Sequence, residues 1–350
     1  IAGSPRTETT WRQIAAPAAA ALAVVFVGYA VPTSTTAPAG EQITIAVVQG
    51  NVPRMGLDFN EQRRAVLDNH VSATIELAAD VDAGRRPQPD VVVWPENASD
   101  IDPQLNPDAA DEIDSAARAI GVPIVLGTIL HDDAAVDGPR AKNASLVWDP
   151  ETGSGFEYVK QHPVPFAEYI PMEQFVRTVA GWIDERIVKD GLDRVNGFAP
   201  GDEPGVIPVG DVTLSGIICF EIAYDGQVRE SVTEGAQILA VQTNNATFNE
   251  AEALQQMAMV QIRSIEHARP GLMASTVGVS GFVDETGEVS QATGFNEPAV
   301  IVSTFNLGEG TTPATTLGAL PELLGSAAAV AVLVLAATRR RRRKSADAKG

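Results

Sequence analysis

Glu96, Lys160 and Cys219 are the residues whose type and placement could do chemistry together. The apolar run Val91 to Trp94 stops at Pro95-Glu96, which delivers a carboxylate at the C-terminal end of a buried strand, where α/β sheets place their sites. Cys219 ends the run Leu214 to Ile218 and is followed by Phe220-Glu221. Lys160 lies in the stretch Tyr158 to Phe166, where Pro163 and Pro165 stiffen a loop leaving a strand. Between residues 40 and 312 lysine occurs at Lys142, Lys160 and Lys189 alone, and arginine is used elsewhere, so a lysine in this apolar setting is a choice of chemistry. Each residue singly also reads as a surface carboxylate, a packed thiol or a surface lysine. As a set they make chemical sense: a thiol needs a base to become a nucleophile, and a cation or N–H donors to hold the oxyanion formed when it attacks a carbonyl.

Other chemistries find no support. The sequence has no glycine-rich dinucleotide turn, no Walker loop, no His-Glu-x-x-His and no Gly-x-Ser-x-Gly. Gly278-Val279-Ser280-Gly281 has the wrong spacing for the last and reads as a turn or bulge. His70, His131, His162 and His267 show no paired ligand spacing, and His162 reads as a loop histidine. With Cys219 as the single cysteine, an internal disulfide and a cysteine-clustered metal site are both ruled out. The sequons at Asn97, Asn143 and Asn245 read as coincidence. No cofactor and no metal is implied.

These residues need a frame to hold them. The 350 residues are 45% hydrophobic, enough for a sizeable core. Lys plus Arg is 25 against 45 Asp plus Glu, a net charge of −20, which excludes sequence-independent binding to nucleic acid. The charge is unevenly spread, because Arg339 to Arg343, Lys344 and Lys349 form a basic tail. Before it, Leu323 to Thr338 is uncharged and extends to Leu317 if Glu322 sits at an interface. We read about 317–338 as a membrane helix and the tail as its cytoplasmic flank, the alternative being a buried core helix. A second apolar run, Ile14 to Val31, precedes a Pro, Thr and Ser-rich stretch. It reads as a signal peptide, or, since the chain opens on Ile, as an internal membrane helix of a longer protein. The expected organisation is a membrane helix and linker over 1–39, an extracytoplasmic domain over 40–312, and a membrane helix with its tail over 313–350.

Within 40–312, buried strands are expected at Ile43–Gln49, Val91–Trp94, Ile124–Ile129, Ala144–Trp148, Val212–Cys219 and Ile238–Thr243, with Phe282-Val283 and Val289 flanking a turn. Helical spacing covers Asn60–Ala83, Asp108–Ala119 and Glu250–Ala268. In the last, Leu254, Ala258, Ile262 and Ile265 recur three or four residues apart and predict the packed face, with Met257 and Met259 as packing residues. This is one α/β layered domain.

Three segments carry a resemblance: Trp94-Pro95-Glu96; Lys160 with Pro163-Val164-Pro165-Phe166, Glu168-Tyr169-Ile170-Pro171; and Ile218-Cys219-Phe220-Glu221. Together they resemble the nitrilase (carbon-nitrogen hydrolase) superfamily, and the Lys160 segment is similar to that of its membrane-bound branch, the apolipoprotein N-acyltransferases. The likeness runs from about Ile43, through Gln49-Gly50-Asn51 and Thr243-Asn244-Asn245, to about Phe305. It departs at Asn245-Ala246-Thr247-Phe248-Asn249, where many members have Asp-Ala-Trp-Phe-Gly, and in lacking upstream membrane helices, which marks the chain as partial. The resemblance implies an α-β-β-α sandwich flanked by transmembrane helices. It implies Cys219 as nucleophile, Glu96 as general base and acid, and Lys160 as oxyanion stabiliser. Glu168 and Glu221 would support them, and the Phe220 backbone N–H would be a second oxyanion donor. The implied reaction passes an acyl chain from a membrane phospholipid, through a Cys219 thioester, to the N-terminal amine of an apolipoprotein. The implied location is a bacterial cell membrane, multi-pass in the full-length protein. The alternative is a membrane-tethered amidase acting on small amides. The stretch Pro171 to Gly197, with Phe175, Val176, Val179, Trp182 and Ile183, separates the two, because a lid resting on a bilayer has little use in a water-soluble amidase.

Overall fold

The computed structural model describes residues 41–52, 59–131, 141–183 and 197–347. The apolar run at 14–31 lies outside the described residues.

Thirteen strands are described: β1 Gln42–Gln49, β2 Val91–Val93, β3 Ile124–His131, β4 Ala141–Asp149, β5 Gly153–Val159, β6 Val206–Val209, β7 Val212–Ser215, β8 Ile217–Ile218, β9 Leu239–Thr243, β10 Gly271–Ser275, β11 Gly281–Val283, β12 Val289–Ser290 and β13 Ala299–Asn306. The helices are α1 Phe59–Asp82, α2 Pro107–Ile120, α3 Glu173–Ile183, α4 Asp225–Thr233, α5 Glu250–His267, α6 Pro313–Leu317 and α7 Leu320–Asp347, with a 3-10 turn at Cys219–Ala223. One sheet has the order β13-β1-β2-β3-β4-β5 and a second β12-β11-β10-β9-β8, while β6 and β7 form a separate ribbon.

Side-chain alternation builds the layers. Ile43, Ile45 and Val47 of β1, with Val91 and Val93 of β2, pack against Ile218, Ala240, Leu272 and Phe282 of the second sheet. Ala46, Val48, Val92 and Trp94 point the other way and pack on Leu67 and Val71 of α1 and Ile113 and Ala117 of α2. On the far side Ile217, Leu239, Val241 and Met273 meet Val228 of α4 and Ala253, Met257 and Val260 of α5. The result is the four-layer α-β-β-α sandwich. β1, β2 and β3 run parallel, as do β8, β9 and β10, so their C-terminal ends gather where the two sheets face each other. Buried Gln242 of β9 crosslinks the sheets there, its Nε2 donating to the Trp94 carbonyl at 2.6 Å and its Oε1 accepting from Ser145 of β4.

Two expectations need correcting. The strand expected at Val212–Cys219 is broken at Gly216, where any Cβ would lie 2.7 Å from the Tyr158 ring, so β7 and β8 join different sheets and Cys219 opens the 3-10 turn. The expected packed face of α5 is the exposed one. Leu254, Ile262 and Ile265 are 51%, 60% and 40% exposed, whereas Ala253, Gln256, Met257, Val260, Ser264 and His267 are buried. Met257 packs as expected, and Met259 is partly buried against the same cluster.

At the C-terminal end, α6 is pinned to the domain. His267 Nδ1 lies 2.9 Å from Thr315 Oγ1, Thr312 Oγ1 donates to the Glu266 carbonyl, and Arg229 donates to the Thr315 carbonyl. Beyond it, Leu320–Arg339 is a helical segment of 20 residues with none of its apolar surface buried in the protein. At 1.5 Å per residue it is about 30 Å long, the thickness of a hydrocarbon core. The helix begins ahead of the uncharged run because Pro321 suits a first helical turn, and the acidic Glu322 falls in that same turn, where the helix dipole favours it.

Candidate active site

The sandwich brings Glu96, Lys160 and Cys219 to one place. Glu96 follows β2 and is 4% exposed; its backbone is pressed against β3 so closely that a Cβ at Gly127 would stand 2.5 Å from the Glu96 Cα. Thr276 Oγ1 donates to the Glu96 carbonyl at 2.8 Å, fixing the turn from the second sheet. Lys160 follows β5 and is 1% exposed. Its Nζ donates to Glu96 Oε1 at 3.3 Å and to Glu168 Oε1 at 2.9 Å. Burial alone would lower the Lys160 pKa, but the carboxylate charges of Glu96 and Glu168, joined by Cys219 whenever its thiol ionises, outweigh it, and the group is held above its ordinary value as a cation.

Cys219 sits at the tip of the β8-to-3-10 turn with φ 55°, a left-handed conformation that costs a non-glycine residue strain and is found at functional turns. Burial, together with the Glu96 charge, pushes its thiol up to about 12, while Lys160 and the hydrogen bonds of Thr243 and Gln256 pull the other way. Thr243 Oγ1 lies 3.6 Å from Sγ and Gln256 Nε2 3.8 Å. The resting site therefore holds a thiol, and the sulfur becomes a nucleophile only as its proton leaves for a neighbouring base.

The supporting carboxylates have different tasks. Glu168 accepts from Lys160 and, through Oε2, from the Val164 N–H at 2.7 Å, which folds the proline loop back onto the lysine. Glu221 is fully buried and touches neither Glu96 nor Cys219 by hydrogen bond among the described residues. It accepts from the N–H groups of Gln161 at 2.7 Å, His162 at 3.0 Å and Ile218 at 2.9 Å, and from the Tyr158 hydroxyl at 3.1 Å. One carboxylate thus ties the residue after Lys160 to the residue before Cys219. Burial raises its pKa, and the backbone donors of Ile218 and His162 oppose that rise. The Phe220 N–H lies in the first turn of the 3-10 helix, where helical N–H groups have no partner within the helix, and the residue is 44% exposed.

Several residues at the site are given no role by the sequence. Asn143 is buried, and its Nδ2 donates to Glu96 Oε1 at 2.7 Å and to Glu168 Oε1 at 3.3 Å. The Asn244 N–H donates to Glu96 Oε2 at 3.0 Å, and Asn244 Nδ2 to Asn97 Oδ1 at 3.1 Å. All three sequon asparagines lie around this cluster: Asn143 and Asn245 are buried, and Asn97 and Asn245 take positive φ. The departure at Asn249 also has a structural role, as the N-cap of α5 in a reciprocal capping box with Glu252. His162 is more than a loop histidine, stacking on Tyr224 at 4.2 Å with Nδ1 2.9 Å from Gln227 Oε1.

Just outside this buried polar cluster the surface is apolar. Phe166, Met172, Phe175, Trp182 and Ile183 are between 59% and 82% exposed, all on the loop and helix α3 that follow Lys160. At the base of this arm is a cavity of about 490 Å³, its lining including His162, Tyr169, Ile170, Glu173, Phe198 and Tyr224, the last being the residue that follows the 3-10 turn of Cys219.

A half-buried thiol beside a carboxylate and an ammonium, at facing strand ends of an α-β-β-α sandwich, defines the class. The carbon-nitrogen hydrolase family model matches residues 44–312, and the chain belongs to that family. It is 44% identical over 279 residues to an apolipoprotein N-acyltransferase of Mycolicibacterium smegmatis, covering 79% of this chain and 46% of that one. It is 28% identical over 296 residues to an apolipoprotein N-acyltransferase of Shewanella oneidensis, covering 82% and 54%. The chain spans about half the length of these relatives. Among solved structures, a mutant of the Nesterenkonia AN1 amidase from the nitrilase superfamily superposes with a TM-score of 0.52 at 18% identity, covering 77% of this chain and 93% of that one, which shows the shared fold.

Proposed function

We propose that the chain is the catalytic part of an N-acyltransferase that moves an acyl chain from a membrane phospholipid, through a thioester on Cys219, to the N-terminal amine of a diacylglyceryl-cysteine lipoprotein. Glu96 takes the Cys219 proton as sulfur attacks the ester carbonyl and returns it to the leaving lysophospholipid. Lys160 and the Phe220 N–H hold the oxyanion of each tetrahedral intermediate. In the second half the acceptor amine attacks the thioester, and Glu96 passes its proton to the departing sulfur. Glu168 and Glu221 are positioning residues.

The observation that carries this reading over a tethered amidase is the exposed apolar arm directly after Lys160. Phe175, Trp182 and Ile183 offer aromatic and aliphatic surface to a bilayer at the mouth of the site, which an enzyme drawing small amides from water does not need. The apolar helix Leu320–Arg339 and the names of the relatives support it further. The arginine run after that helix favours a cytoplasmic tail and a domain on the outer face, where a phospholipid can rise partly out of its leaflet into the site.

Intact-mass spectrometry of the protein after incubation with phospholipid vesicles tests this. One acyl adduct is expected, located on Cys219 and absent from Cys219→Ala. Acyl transfer at the normal rate in Cys219→Ala or Cys219→Ser protein would overturn the proposal.

A further inference from the structure

A second, much smaller cavity is walled by Asn244, which binds Glu96 Oε2, whereas Lys160 binds Oε1. Its volume is about 120 Å³, and its polar lining comprises Gln62, Arg63, Asn97, Asp100, Asn244 and Thr276. It shares a wall with the catalytic centre. Asn244 donates its N–H to Glu96 Oε2, Thr276 holds the Glu96 carbonyl, and Asn97 is the next residue after Glu96. The two cavities differ in kind. The one beside the arm is four times larger and has Tyr169, Ile170, Phe198 and Tyr224 in its lining beside Gln161, His162 and Glu173, while this one is too small for an acyl chain and carries a carboxylate and side-chain amides.

On the acyl-transfer reading, we propose that the Asn97–Asp100–Asn244 cavity is the acceptor subsite, where the α-ammonium of the incoming peptide docks on the Asp100 carboxylate beside Glu96. A two-substrate site that uses one sulfur must present the acyl donor and the amine to the same carbonyl carbon in turn, and the structure offers a larger, more apolar cavity for the first and a small one holding a carboxylate for the second. The chemistry of the lining suits an amino terminus. A carboxylate meets an ammonium, and the Arg63 guanidinium and the side-chain amides of Asn97 and Asn244 suit the first peptide group.

Electrostatics support the assignment. Burial lifts Asp100 to about 6, opposed by Arg63 and by a hydrogen bond from Asn97 and reinforced by the Glu96 charge. At neutral pH it is a carboxylate that attracts an ammonium, yet basic enough to take one proton from an α-amine of ordinary pKa about 7.7 and pass it to water. The free amine then attacks the thioester carbon and the C–S bond breaks. The second nitrogen proton goes to Glu96 and on to Sγ, leaving an amide and the regenerated thiol.

The test separates the two half-reactions in the membrane-inserted protein. Asp100→Asn should form the Cys219 acyl-enzyme from phospholipid vesicles within about twofold of the wild-type rate, but lose about tenfold or more in kcat/KM for transfer to a diacylglyceryl-cysteinyl-serine peptide. Transfer to hydroxylamine, which is uncharged at neutral pH, should be unaffected, a result that a merely structural role for Asp100 would not give. In the wild-type protein, the N,N-dimethyl form of that peptide keeps its positive charge and forms no stable amide. It should inhibit transfer at least about tenfold more strongly than the N-acetyl form. Peptide transfer retained in Asp100→Asn, an equal fall in acyl-enzyme formation, or equal inhibition by the two blocked peptides would each overturn the subsite. Absence of any acyl-enzyme in the wild-type protein would instead overturn the acyl-transfer reading itself.

Discussion

Helices α2 and α5 coat opposite outer faces of the same sandwich, and they obey opposite rules. α2 buries Ala109, Ile113, Ala116, Ala117 and Ile120, starts with Pro107 and ends at Gly121 with φ 74°, as an amphipathic helix that only packs should. α5 turns Gln256, Ser264 and His267 inward and leaves Leu254, Ile262 and Ile265 in the open. The difference lies in what each helix covers. Beneath α2 is the hydrocarbon of β2 and β3, whereas α5, besides packing Ala253, Met257 and Val260 on the second sheet, also covers the Cys219 sulfur, reached by Gln256, and the α6 mount, reached by His267. Polar partners at the core face outrank hydrophobic periodicity when a half-buried sulfur and backbone groups must be satisfied.

If this contrast is right, changes at the site cost rate and changes beneath α2 cost stability. The largest effect should come from Lys160→Ala. Losing one oxyanion donor typically costs about 100-fold to 1,000-fold, roughly 3 to 4 kcal/mol, in acyl-enzyme formation. Lys142→Ala should be near neutral, because Lys142 precedes Asn143 on β4 and alternation turns it to the opposite face of the strand. Equal losses in single-turnover assays of the two variants would show that the wrong lysine carries the charge.

Beneath α2, Ile113→Ala should cost about 2 to 5 kcal/mol in denaturant unfolding, because Ile113 is fully buried among α1, α2 and the first sheet. Ile262→Ala on the open face of α5 should stay within about 0.5 kcal/mol. The contrast breaks if the two substitutions cost alike.

A pH effect sharpens it on the α1 side. His70 is fully buried, its Nδ1 lies 2.8 Å from the Val66 carbonyl, and its Nε2 accepts from the Gly50 N–H, so the neutral ring with the proton on Nδ1 is required. Burial lowers its pKa to about 4 from 6.5. The folded form therefore binds its proton later than the unfolded chain does. Stability is fully present above about pH 6.5 and is lost as pH falls towards 4, by roughly 3 kcal/mol. Unfolding free energies in detergent between pH 7 and 4.5 should show that slope, flattened in His70→Leu.

The central strands β1 to β4, β9 and β11 are legible in the sequence, together with α1 and α2, because Val/Ile-rich runs and helical spacing mark them, while α5 is legible as a helix although its spacing names the exposed face. So are the three catalytic candidates, since each closes an apolar run or enters a proline-stiffened loop. Hidden from it are residues whose role is set by contacts distant in sequence. Asn143 is 47 residues from Glu96, and Gln256 is 37 from Cys219, with nothing local to mark either. β6 and α4 are hidden for a plainer reason. Each is short, and Pro208 interrupts the first while Gly226 falls in the first turn of the second.

The smallest expected effect addresses the inverted helix itself. Gln256 Nε2 donates to Sγ at 3.8 Å, a weak bond that lowers the Cys219 pKa, and Oε1 lies 3.0 Å from the Thr243 hydroxyl. Gln256→Leu would give α5 an ordinary apolar interior at that position. Replacing a buried amide by a hydrocarbon of similar size removes its desolvation cost, so the melting temperature should hold or rise. The thiolate loses a donor, which pushes the Cys219 pKa higher still. Alkylation of Cys219 by iodoacetamide at fixed pH, and acyl-enzyme formation with it, should therefore slow by about tenfold, roughly 1.4 kcal/mol. If Gln256→Leu instead unfolds the protein at unchanged thiol reactivity, the polar stripe of α5 serves the fold and the contrast with α2 has another cause.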